Sequence, residues 1–76
     1  MYEDYRDLMI NSALSHFRGH IDKHYANLEV LLGNPVGTAN SDLMEALERE
    51  LAEIDKYDSM LETLLKYTGR DELSGP

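Results

Sequence analysis

The sequence predicts an all-α fold: an antiparallel two-helix hairpin, completed to a helical bundle by self-association or by a partner. Two apolar seams at helical spacing and one intervening segment of helix breakers carry that reading. The first seam runs Ile10, Leu14, Phe17, Ile21, His24, Leu28, Leu31, and the second runs Met44, Leu47, Leu51, Ile54, Asp58, Leu61, Leu65. Both alternate steps of four and three, which keeps one narrow stripe on one face of a helix. Between them, Gly33-Asn34-Pro35-Val36-Gly37-Thr38-Ala39-Asn40-Ser41 cannot continue a helix.

The spacing predicts the first helix at about residues 2–32. Glu3, Asp4 and Asp7 suit the positive end of its dipole, Gly33 provides the stop, and Pro35 follows. Gly19 interrupts this helix on the side away from the seam, where a tolerated surface glycine is the expectation. The loop spans 33–41. The second helix is expected over about 42–68, capped by Asn40 or Ser41 and ended by Gly69. Residues 1–69 then form one domain, and 70–76 lack periodicity and read as a disordered tail.

Size makes the hairpin incomplete. A chain of 76 residues with no cysteine has no disulfide to support a small core, and chains of this length rarely gain more than ~3–5 kcal/mol from a single one. The acidic start lacks the basic and apolar regions of a secretion signal, and no apolar run is long enough to cross a membrane. A cytoplasmic location is the expectation. The net charge of −8 argues against direct binding to a nucleic-acid backbone or an anionic membrane. The second helix carries most of that charge, with eight acids against three bases from Asp42 to Lys66. A face of this kind is usually solvated, but it also raises the reading of an acidic nucleic-acid mimic that inhibits a basic protein.

Apolar residues exceed what one seam needs. Tyr57, Met60, Leu64 and Tyr67 form a second stripe on the second helix, and antiparallel pairing sets them near Tyr2, Tyr5, Leu8 and Met9. Tyr and Met are favoured at protein interfaces, so Tyr5, Met9, Tyr57, Met60, Leu64 and Tyr67 are the candidate partner-binding residues. Tyr25, Leu28, Val30 and Leu32 widen the first helix similarly near the loop.

His16, His20 and His24 lie four residues apart. Adjacent pairs have metal-chelating spacing, but drift around the helix keeps three from one ion, so no metal or other cofactor is expected. Pairing matches His20 with Asp55, and His16 with Asp58 or Glu62; protonation near pH 6 is then expected to strengthen the hairpin. Catalysis lacks support: Ser12 and Ser15 near His16 have no oxyanion site, and there is no phosphate-binding loop.

The sequence is thus read as a small, acidic, non-enzymatic protein-binding module: an adaptor, chaperone or regulator. It packs a Tyr/Met/Leu face on an amphipathic helix of a partner. In size and outline the chain resembles the small hairpin chaperones that hold needle subunits in type III secretion, a resemblance that implies a secretion-type co-chaperone. The alternative is a self-assembling homodimeric four-helix-bundle scaffold.

Overall fold

The computed structural model describes residues 5–33 and 41–70. They form two helices, α1 (Tyr5–Leu32) and α2 (Ser41–Thr68), packed against each other as a hairpin. Each has 28 residues and is about 42 Å long at 1.5 Å per residue. The expected start of the first helix at residues 2–4, the cap candidate Asn40, the loop at 34–40 and the tail at 71–76 lie outside the described residues.

The two helices end differently. Gly33 follows α1 and still donates to the Glu29 carbonyl at 3.0 Å, in the helical pattern. Gly69 after α2 takes a left-handed φ of +75°. There its N–H reaches the Lys66 carbonyl, and the Arg70 N–H reaches that of Leu65 at 2.8 Å. This pair of bonds is a Schellman cap, which satisfies carbonyls the helix would otherwise leave unpaired. Thr68 adds its hydroxyl to the Leu64 carbonyl at 2.8 Å. The cap aims Arg70 back at α1, where its guanidinium donates to Asn11 Oδ1 at 2.7 Å and Asp7 Oδ1 at 2.6 Å. Arg70, assigned by its sequence to the tail, therefore clasps the open end of the hairpin.

The core is small. Ile10, Leu14, Ile54 and Leu65 are its buried apolar residues, and Leu61 and Leu64 pack against Ile10, Leu14 and Leu65. The α1 seam faces α2 as its spacing predicts, with Ile10, Leu14 and His24 buried and Phe17, Ile21, Leu28 and Leu31 half-buried. The α2 seam requires correction. Leu47, Ile54, Leu61 and Leu65 do point inward, and Leu64 is half-buried beside them, but Met44, Leu51 and Asp58 are exposed; Leu43, Glu50 and Tyr57 are covered instead. Each replacement lies one residue earlier, so α2 is turned by roughly 50°, half of one residue's step around the axis.

The cause lies opposite, on α1. The buried His24 donates from Nδ1 to Glu50 Oε1 at 2.6 Å, and His20 stacks on Tyr57. With Asp58 inward, a carboxylate would be buried in place of that aromatic contact.

Candidate functional site

One edge of the interhelical seam carries an apolar groove and, beside it, a histidine cluster. The groove has a volume of about 500 Å³ and is lined by Ala13 and Phe17 of α1 and by Ser59, Met60, Thr63, Leu64 and Tyr67 of α2. None of these side chains is charged, although Asp, Glu, Lys and Arg make up 29% of the chain. Met60, Thr63, Leu64 and Tyr67 stand at i, i+3, i+4 and i+7. Four residues so spaced form the hole that receives one knob of a facing helix in knobs-into-holes packing.

Of the six residues singled out by sequence, Met60, Leu64 and Tyr67 come together on this wall. Tyr67 is the most open of them, at 82% exposure. Tyr5 and Met9 are exposed on α1, two turns and one turn before Ala13, and do not line the groove. Tyr57 is half-buried and does not line it either; its ring packs 6.3 Å from that of Phe17. Ala13, Phe17, Ser59 and Thr63 are the lining residues that sequence reasoning missed. Phe17 was assigned to the seam, and Thr63 carries no apolar signal; only its place at i+3 from Met60 marks it.

The histidines form a ladder. His16 meets His20 edge-on at 4.6 Å between centroids, His20 lies almost parallel on Tyr57 at 4.3 Å, and His24 is 6.4 Å from His20. The carboxylates expected opposite them, Asp55, Asp58 and Glu62, are exposed. The turn of α2 brings Glu50 and Glu53 to His24 instead. Asn27 shares Glu50 with His24, while Glu53 is paired with Lys56 at 3.1 Å and lies 4.0 Å from His24 Nε2. The Lys56 ammonium also sits 4.8 Å from the centroid of Tyr57. Among the described residues no group of three or more His, Cys, Asp and Glu is arranged to hold a metal ion. Around Gly19, Ser15, His16, His20 and Lys23 of α1 line a smaller depression.

This wiring sets the electrostatics. The hydrogen bond from His24 holds the Glu50 carboxyl below its ordinary value, and the bond from Asn27 adds to that. Burial lowers His20, and the neighbouring His16, Lys23 and His24 lower it further against a raising effect of Glu53. For His20 the sign is opposite to the expected gain in mild acid. A histidine with a lowered folded pKa contributes stability that is full above 6.5 and is lost as pH falls toward the folded value.

Comparison with known proteins finds no matching family model, no significantly similar curated protein and no significantly similar solved structure. No helix among the described residues is long and apolar enough to cross a membrane.

Proposed function

We propose that this chain is a small, acidic, non-enzymatic module that binds another protein by receiving an amphipathic helix along the Met60/Thr63/Leu64/Tyr67 face. The single observation behind this reading is the uncharged i, i+3, i+4, i+7 socket left open beside a very small core. A helix laid there would anchor an apolar side chain between Met60 and Tyr67, with Phe17 and Ala13 as the second wall. The absence of cysteine favours a reducing compartment, which for this reading is the cytoplasm.

The test compares the wild-type chain with Met60→Gln/Tyr67→Gln as baits. Tyr57→Ala and Leu64→Ala are unsuitable because both residues are covered within the hairpin. The expected result is a bound species lost by the double variant while helicity and melting are retained. The same bound species on both baits would refute the reading.

Self-assembly into a homodimeric bundle is the second reading. It is favoured by exposed Met44, Leu51, Tyr25, Val30 and Leu32, which spread apolar surface well beyond the groove. Light scattering during size exclusion separates the two: a monomer excludes the scaffold, and a cooperatively melting dimer supports it.

A further inference from the structure

We propose that His20 is a pH-sensitive latch on the groove, held on Tyr57 while neutral and expelled when protonated, so that the docking wall loosens below neutral pH. The inference rests on the docking reading for the use of the groove, but the coupling itself is a property of the hairpin alone.

Three contacts make the chain of action. His20 lies on Tyr57 with 6° between the ring planes. Tyr57 packs against Phe17, and Phe17 lines the groove opposite Met60 and Leu64. The Nδ1 atom of His20 is buried and has no hydrogen-bond partner among the described residues. A neutral imidazole can leave a lone pair there. An imidazolium must place an N–H there, carrying charge and lacking an acceptor.

The surroundings give that charge little compensation. On α1 it faces His16, Lys23 and His24. On α2 it faces Tyr57, already beneath the Lys56 ammonium, and Glu53, already paired with Lys56. Glu50 is engaged by His24 and Asn27. Attraction of an imidazolium to the Tyr57 ring opposes expulsion, but burial and the three basic neighbours favour the neutral form, in keeping with the lowered pKa of His20. Once His20 leaves the stack, Tyr57 keeps only the more distant parallel ring of His24 at 6.3 Å and is freed to shift against Phe17.

The test is an NMR titration of the isolated chain from about pH 8 to about pH 5, following the imidazole C–H signals and the Met60 methyl. The expected result is a Met60 shift that shares the His20 midpoint, below 6.5, and that disappears in His20→Phe, where the ring remains but takes no proton. His20→Gln replaces that variant if circular dichroism shows lost helix. A Met60 signal that stays still while His20 titrates would overturn the proposal. So would a His20 midpoint at or above 6.5, or an unchanged Met60 titration in the variant, which would assign the effect to His16 or His24. Because no partner enters the experiment, a groove that binds no helix leaves its result intact, and a failed titration leaves the docking reading standing.

Discussion

Leu65→Ala and Leu51→Ala separate the observed facing of α2 from the one its apolar spacing suggests. Both leucines belong to the same 3–4 stripe, yet Leu65 is 2% exposed and Leu51 is 51% exposed. Truncating Leu65 removes three carbons from the Ile10/Leu14/Leu65 cluster. At about 0.8 kcal/mol per buried methylene that is about 2.4 kcal/mol. The residual cavity adds to it, although a two-helix layer open on both sides can partly collapse, giving about 2.5–3.5 kcal/mol in total. Against the ~3–5 kcal/mol that a single small core supplies, most of the stability is lost. At about 4–8 °C per kcal/mol, the melting midpoint should fall by about 10–28 °C. Leu51→Ala gives up only half of its surface burial and should cost about 1 kcal/mol or less. Urea unfolding followed by circular dichroism, at a concentration where light scattering reports monomer, measures both. Equal costs, or a larger cost for Leu51, would refute the described packing.

Two glycines should respond with opposite signs. Gly69→Ala puts a side chain on a residue at φ +75° and should cost about 1–2 kcal/mol. Gly19→Ala, with nothing within 4 Å of the new Cβ, should stabilise α1 by about 0.5–1 kcal/mol; thermal melts of the two variants check this pair. Glu50→Gln probes the buried polar link. The stability contributed by the Glu50 carboxylate is full above its ordinary 4.5 and is lost as pH falls through the lower folded value. Urea midpoints between about pH 6 and about pH 3 should therefore decline less steeply in Glu50→Gln than in the wild-type chain.

The helices and the face of α1 were legible because they depend on local rules. Breakers are concentrated around Pro35, Gly69 invites a left-handed cap, and the α1 stripe has no strong rival. The rotation of α2 was not legible. Its C-terminal half offers two apolar stripes, one through Leu61 and Leu65 and one through Tyr57 and Leu64, and spacing alone gives no reason to prefer either. What decides is a pair of contacts across the hairpin, the His24–Glu50 hydrogen bond and the His20–Tyr57 ring stack. A hydropathy pattern places Glu50 and His20 outside, although it sets His24 in the seam. The groove was half-legible for the same reason: Met60 and Tyr67 were read as surface contacts, while Tyr57 and Leu64 were drawn inward by the turn. Arg70 was missed because its partners, Asp7 and Asn11, lie at the far end of the sequence.

The most direct test of the docking account places a photo-crosslinking side chain at position 60 in the full chain, with position 55 on the acidic face as the control. Mass spectrometry then identifies what is attached after irradiation in the cell. The account predicts one dominant adduct from position 60, formed with an amphipathic helix of another protein and absent from position 55. Adducts only between copies of this chain, or the same products from both positions, would contradict it.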